Sequence, residues 1–290
     1  MLKPAPTWRA LLAWTTQRVE DRQVAHWMCE HASGRTSSDL DASLDEPSHG
    51  HAAGQLASMV DRYADGEPLQ YVLGAWGFRS LDLAVDGRAL IPRPETELLV
   101  DVCLELLSHR LPTRDVDPLT IVDLGTGTGA IGLALASELP IDGVTVWLSD
   151  VSAEALALAT ANLSGIGRHA RNVRVAPAGS WFEPFDAAAQ FDLVVANPPY
   201  VPRRDPALEP IVRKWEPHVA LYGGADGLDH FRSIVAAAPA RLRPGGRLVM
   251  EIGSGQGERV RALMLDAGLA SPEVRLDLGG HERIALAELT

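Results

Sequence analysis

Cysteine is scarce. The 290-residue chain holds only Cys29 and Cys103, far apart and with no Cys-x-x-Cys pairing. Nothing therefore supports a disulfide framework, and a reduced, cytoplasmic setting is expected. Metal-ligand spacing is missing too. The nine histidines form no HExxH or HxxxH pattern, and the pair His49 and His51 sits in a Gly-rich loop, so no metal is expected. Positive charge is short: 26 Lys and Arg face 38 Asp and Glu, for a net charge of -12. A large nucleic-acid footprint usually shows as a basic surface, so no nucleic-acid substrate is expected, although a local basic patch stays compatible with this balance. No apolar run reaches membrane-spanning length, and Ala10–Trp14 is too short for a signal core before it meets Thr15–Arg18. What remains is ordinary globular composition in a chain long enough to bury roughly 75% of its unfolded surface.

Residues 7–32 carry helical periodicity. Trp8, Leu11, Leu12 and Val19 mark one face, Val24, Trp27 and Met28 another, and Thr7 is placed to cap. Residues 33–48 are rich in Ser, Asp and Gly and read as a loop. The helical pattern returns near 51–65 and breaks at Gly66-Glu67-Pro68. No strand alternation precedes Gly74, so a helical bundle is expected over 1–73. Trp76–Val85 alternates with a period near two and predicts a hairpin within a connector spanning 74–93. Pro94 suits the first turn of a long helix, and Glu95 and Glu97 suit its positive end.

From Leu119 the pattern alternates strand and helix. Strands are predicted at 120–124, 144–149, 172–176, 191–196 and 246–252. Over 94–290 this predicts an α/β domain with a parallel, doubly wound sheet. Val274–Leu278 and Arg283–Glu288 flank Gly279-Gly280-His281 and predict a terminal antiparallel hairpin at the sheet edge.

Ile121–Leu124 followed by Gly125-Thr126-Gly127-Thr128-Gly129 closes a strand and opens a helix. Glycines there permit a tight turn and close approach of a ligand to the main chain, and the helix start adds free N–H groups. The pattern alone leaves NAD and S-adenosylmethionine (SAM) open. Asp150, at the next strand end, suits a ribose diol in either case. Asp123 favours SAM, because an acid meets a methionyl ammonium and repels a pyrophosphate. Trp181 follows the third strand, where an adenine face would lie, with core packing as the alternative.

Asn197-Pro198-Pro199-Tyr200 follows the apolar run 191–196, at the carboxyl end of a buried strand, where open α/β sheets place their ligands. Each proline locks its own φ and pushes the preceding residue to extended geometry. The Asn197 side chain and the Pro198 carbonyl can then face one planar group carrying N–H donors, with Tyr200 beside it. This tetrapeptide and the acid–glycine loop resemble SAM-dependent methyltransferases acting on amino groups conjugated to a π system. Two groups share it: N6-adenine or N4-cytosine DNA methyltransferases, and glutamine-amide methyltransferases.

Further segments choose between them. Gly66–Gly74, Phe78, Leu90–Glu97, Arg213–Leu221 and Gly223–Leu228 resemble the peptide chain release factor N5-glutamine methyltransferase family (PrmC/HemK) in order and spacing. The likeness runs from about Gly66 to the C-terminus, while the first 65 residues match in helical character only. It implies a helical bundle joined by a hairpin to a seven-stranded class I SAM-dependent methyltransferase domain. The implied substrate is the Gln of the Gly-Gly-Gln motif in class I release factors, with S-adenosylhomocysteine as the second product. Cofactor contacts would fall on Asp123, Gly125, Thr126, Gly127, Thr128, Gly129, Asp150, Trp181 and Asn197. Acceptor contacts would fall on Asn197, Pro198, Pro199 and Tyr200, with Asn197, Pro198 and Tyr200 catalytic. The bundle is expected to dock the release factor, and a monomer is the default. One departure is Ser180, where relatives often carry an acid for the adenine amino group; a hydroxyl accepts without charge assistance. Competing readings are a nucleic-acid amino methyltransferase, which needs a base-flipping pocket, and a non-enzymatic nucleotide-binding protein.

Overall fold

The computed structural model describes residues 5–108 and 118–290. The first four positions of the expected bundle therefore lie outside the described residues. The chain divides into two compact units, Met1–Ala75 and Trp76–Thr290. Among the described residues, no helix is long and apolar enough to cross a membrane.

Among the described residues before Ala75 the regular elements are helices. Helix α1 (Trp8–Val19) starts where the Thr7 hydroxyl accepts from the Ala10 amide at 3.3 Å. Asp21 caps α2 (Arg22–Ser33) by accepting from the amides of Gln23 and Val24 at 2.7 and 3.1 Å. Such caps satisfy amides that the first helical turn leaves free. Helices α3 (Ser37–Ala42), α4 (Ala52–Ala64) and α5 (Leu69–Leu73) complete the unit. Trp8, Met28, Cys29, Leu40, Leu56 and Met59 fill its core. The segment 33–48, expected as a loop, thus contains α3. Thr36 caps it, and one fully buried residue, Leu40, pins it. A six-residue helix with one anchor is too short to register as periodicity.

The predicted hairpin, β1 (Ala75–Phe78) and β2 (Leu81–Ala84), starts at the last residue of the first unit and belongs otherwise to the second. Phe78 and Leu83 point into the core, so Phe78 is a packing residue. Arg79 sits at the turn and reaches Glu138 at 2.5 and 2.8 Å and Asp101 at 2.7 Å. Pro94–Thr96 forms a 3-10 turn before α6 (Glu97–Ser108), so the helix expected from Pro94 begins three residues later.

A seven-stranded sheet follows, built from β3 (Leu119–Leu124), β4 (Val144–Ser149), β5 (Val173–Val175), β6 (Phe191–Ala196), β7 (Leu242–Glu251), β8 (Ala270–Leu276) and β9 (Glu282–Glu288). Its order is β5-β4-β3-β6-β7-β9-β8. The first five run parallel, and β9 pairs antiparallel with β7 and β8. Between the strands lie α7 (Ala130–Glu138), α8 (Ala153–Leu163), α9 (Pro210–Trp215), α10 (Asp229–Arg241) and α11 (Gly257–Asp266). Strand β7 begins at Leu242 rather than 246, with a register irregularity opposite Phe191 and Leu193. Strand β8 begins four residues before Val274 and includes Pro272; it lies at the sheet edge, where a missing N–H is tolerated. The chain moves outward from β3 in both directions, through β4 and through β6, so the sheet centre is a topological switch point.

Helix α7 is buried on nearly all sides, from Ala130 to Ala136. A Cβ on its Gly132 would stand 2.2 Å from Leu148 Cδ2 and 3.1 Å from Asp123 Oδ2. Gly132→Ala is therefore expected to destabilise the protein by about 1–3 kcal/mol, the usual scale of overpacking. Gly165→Ala, which adds its Cβ to open space, is the control. A thermal melt of Gly132→Ala matching that control would contradict this packing.

Candidate active site

The loop after β3 turns on Gly125, Gly127 and Gly129, whose φ angles of 70°, 55° and 87° suit glycine alone among common residues. Gly125 N and Thr126 N donate to the Ser149 carbonyl at 2.8 and 2.9 Å. Gly127 N donates to Asp150 Oδ2 at 2.9 Å, and Ser152 N to Asp150 Oδ1 at 2.9 Å. The end of β4 thus holds the glycine turn by its amides. Burial pushes the Asp150 carboxyl above its ordinary range, opposed by these backbone donors.

A cavity of about 250 Å³ opens at the switch point. Gly125, Thr126, Gly127, Thr128, Asp150, Trp181, Asn197 and Pro199 lie on its wall together with residues 88–93, Thr96, Ser180, Pro217, Val219, Ala220 and His230. The structure brings together eight residues expected from sequence. Four others stand off this wall: Asp123, Gly129, Pro198 and Tyr200.

Each of the four has a structural reason. Asp123 is fully buried behind the loop, where Oδ2 accepts from the Thr126 hydroxyl at 2.6 Å and from Gly132 N at 2.9 Å. Among the described residues its Oδ1 has no hydrogen-bond partner, and burial pushes the carboxyl up to about 7. In this arrangement it braces the loop rather than facing a ligand. Gly129 is the N-cap of α7, and a Cβ there would stand 2.8 Å from Leu133 Cδ1 and 3.3 Å from Ala159 Cβ. Pro198 is buried. Tyr200, expected against the acceptor, packs instead on the apolar cluster around β6 and β7, and its hydroxyl donates to Glu251 Oε1 at 3.3 Å.

Trp181 adopts a left-handed φ of 47°, uncommon for a bulky residue and costing of order 1–3 kcal/mol. The strain sets its ring against Gly125 and edge-on to His230, with centroids 5.3 Å apart. Trp181 therefore serves both the cavity wall and the core beneath it.

Thr96, Glu251 and Gln256 were not singled out from sequence, and Arg93 and Glu216 stood there only within the segments Leu90–Glu97 and Arg213–Leu221. Glu216, almost fully buried, pairs with Arg93 and accepts from Ile91 N at 3.2 Å. That bond holds the segment 88–93 to the loop 201–226, which contributes Pro217, Val219 and Ala220 to the wall. This loop contains α9, started by Pro210 in its first turn. Thr96 donates to Glu251 Oε2 at 2.7 Å and accepts from Asn197 Nδ2 at 3.3 Å. Gln256 Nε2 donates to the Tyr200 carbonyl at 3.1 Å, fixing the backbone just past the prolines. Glu251 had one available signal, an acid ending the strand beside Asn197's.

The family model described as methyltransferase small domain matches residues 97–214, and that of the PrmC N-terminal domain matches 10–74. A release factor glutamine methyltransferase of Xylella fastidiosa (strain Temecula1) is 40% identical over 283 residues, covering 98% of either chain. One from Pseudomonas aeruginosa is 45% identical over 229 residues, 79% of this chain and 78% of that one. Among solved structures, the N-terminal domain of human METTL16 in complex with SAH shares the fold with a TM-score of 0.52 at 15% identity, covering 85% of this chain and 84% of that chain. The sheet is that of a class I methyltransferase.

The raised Asp123 carboxyl has a consequence for stability. Its folded pKa lies near 7, well above the ordinary carboxylate range, because the group is buried. Its contribution is thus fully present below the unfolded value and lost as pH rises through about 7. Asp123→Asn mimics the protonated form. At pH 8 the variant is expected to melt higher than the parent by a few degrees, on the scale of roughly 2–4 °C per kcal/mol. The gap should close toward pH 5. An equal shift at both pH values would contradict the assignment.

Proposed function

This chain belongs to the release factor glutamine methyltransferase family, and we propose that its cavity holds SAM opposite the glutamine of the Gly-Gly-Gln motif in class I release factors. The enzyme is a protein-glutamine methyltransferase acting on a factor of translation termination. One observation carries the site assignment: the glycine turn after β3 and Asn197 after β6 line a single cavity. The residues fit the cofactor. Bare glycine backbone permits close approach, Asp150 offers carboxylate oxygens for a ribose diol, and Trp181 with Ala89, Ile131 and Ala155 supplies apolar wall. That the solved neighbour carries SAH supports the same reading. When bound, SAM supplies an electrophilic methyl group and leaves as S-adenosylhomocysteine.

The chain's own residues do the rest. A carboxamide nitrogen is a poor nucleophile because its lone pair is delocalised. Oδ1 of Asn197, a cavity-wall residue, accepts one of its N–H bonds, and the main-chain carbonyl of the otherwise buried Pro198 accepts the other; together they orient the amide. Orientation of this kind supplies up to ~7–11 kcal/mol in ideal cases. As the nitrogen gains positive charge, the same oxygens hold its protons more strongly, so the stabilisation is greatest in the transition state. Asn is no base, and the proton leaves to water. No metal takes part. Pro199 forms the wall beside the amide, and Tyr200 supports the tetrapeptide from behind.

The helical region 1–73 docks the release factor, the hairpin segment 74–93 connects, and 94–290 binds SAM and transfers the methyl group, as a cytoplasmic monomer. A protein acceptor needs contacts beyond one side chain, which supports a docking role for the helices.

Asn197→Ala is expected to lower methyl transfer by at least ~10²-fold while SAM still binds. Mass spectrometry of the Gly-Gly-Gln peptide after incubation with enzyme and SAM reads the product directly. Near-normal methylation by that variant would remove the acceptor assignment, and labelling of DNA in place of the factor would favour a nucleic-acid substrate. Deleting residues 1–65 should abolish methylation of the intact factor and spare SAM affinity; full activity after deletion would overturn the docking role.

A further inference from the structure

We infer that Thr96 and Glu251 are positioning residues that determine which side of the Asn197 carboxamide faces the cavity. The inference rests on the acceptor role of Asn197 proposed above. Thr96, in the 3-10 turn before α6, and Glu251, at the last position of β7, lie outside the expected site residues.

The register Ala196↔Met250 sets Asn197 and Glu251 side by side, each one residue past that pair. Glu251 and Thr96 are almost fully buried. An ionised carboxylate only accepts hydrogen bonds, and Glu251 receives two, from the Thr96 hydroxyl at 2.7 Å and the Tyr200 hydroxyl at 3.3 Å. Thr96 has one proton, and the shorter bond commits it to Glu251. Toward Asn197 its oxygen can therefore only accept. The Asn197 NH2 group meets that oxygen at 3.3 Å. A reversed amide would set two oxygens against each other with no proton between them.

The consequence is directional. With its NH2 held by Thr96, Asn197 has Oδ1 free for an acceptor's N–H. The reversed amide would offer N–H to N–H, and the carboxamide substrate would lose a partner. A symmetric polar residue at 197 would need no such relay, whereas an amide does, since its two ends have nearly the same shape. Arg283, whose charge favours ionised Glu251, and the carboxylate of Glu95, which opposes it, are the other charged groups acting on Glu251. Burial pushes the Glu251 carboxyl upward, and the Thr96 hydroxyl and Arg283 pull it back.

Thr96→Val keeps the side-chain shape and removes the relay. Its kcat for release-factor methylation is expected to fall at least ~10-fold, on the scale of one orienting hydrogen bond. KM for the factor and Kd for SAM should stay within about threefold, and Thr96→Ser should restore kcat. In an Asn197→Ala background Thr96→Val should cost nothing more, because no amide remains to orient. Full additivity in that background would mean a general structural role and would overturn the inference, as would wild-type kcat in Thr96→Val. Should Thr96→Val fail to bind SAM, Glu251→Gln carries the test: at least ~10-fold lower kcat with SAM affinity kept is expected, and unchanged kcat overturns the relay. Asn197→Ala separates the two levels. If it retains activity, the acceptor assignment fails; if it is inactive while Thr96→Val is not, only the relay fails.

Discussion

The parallel pairing of β3 with β6, from Ile121↔Leu193 to Leu124↔Ala196, is the constraint from which the site follows. It ends two buried strands at the same level. The connections beyond them leave in opposite directions, toward β4 and toward β7, because the sheet grows outward from this pair. A crevice opens between diverging connections. The glycine turn enters it from one strand and Asn197 from the other, so one cavity receives both a ligand-binding backbone and an aimed carboxamide. Neither element makes a site alone.

Two buried carboxylates then hold these elements in shape, and they do so by different means. Asp123 lies under the glycine turn and ties Thr126 to the start of α7. Glu251 lies under the tetrapeptide and ties Tyr200 to Thr96. Burying a charged group is unfavourable unless hydrogen bonds replace its water. Both acids are shifted upward by burial, and both receive hydroxyl or amide donors in return. Preorganisation of this kind keeps the polar groups of a site in place before a ligand arrives. The Arg93–Glu216 pair does the corresponding work for the segments that close the cavity from the other side.

Legibility differed by the range of the interaction concerned. The strands predicted at 144–149 and 191–196 match β4 and β6 residue for residue, because buried parallel strands read as near-continuous apolar runs, interrupted within these two only by Thr145 and Asp192. The edges were less clear. Pro272 masks the start of β8, and Gly245 and Gly246 mask that of β7, since these residues signal turns unless the neighbouring strand is known. Helix α3 was hidden by its single anchor, Leu40. At the site, the glycine turn and Asn197 were legible through local chemistry. The pairings of Thr96, Glu216 and Glu251 were not, because their partners lie 101 (Asn197), 123 (Arg93) and 155 (Thr96) residues away in sequence.

The order of residues by itself determined the strands and helices, the glycine turn, and the amide followed by two prolines, because each depends on the shape and polarity of a few consecutive side chains. It also carried the likeness to a family of methyltransferases, whose segments stand in the same order and spacing. Only the tertiary structure decided which of those residues share a cavity. Asp123 turned inward as a brace and Tyr200 became a support, since burial and hydrogen-bond partners depend on what the rest of the chain brings alongside. The direction of the Asn197 amide belongs to this second kind: two nearly identical ends are told apart only by a hydroxyl and a carboxylate from distant segments, which meet because the sheet sets β6 next to β7.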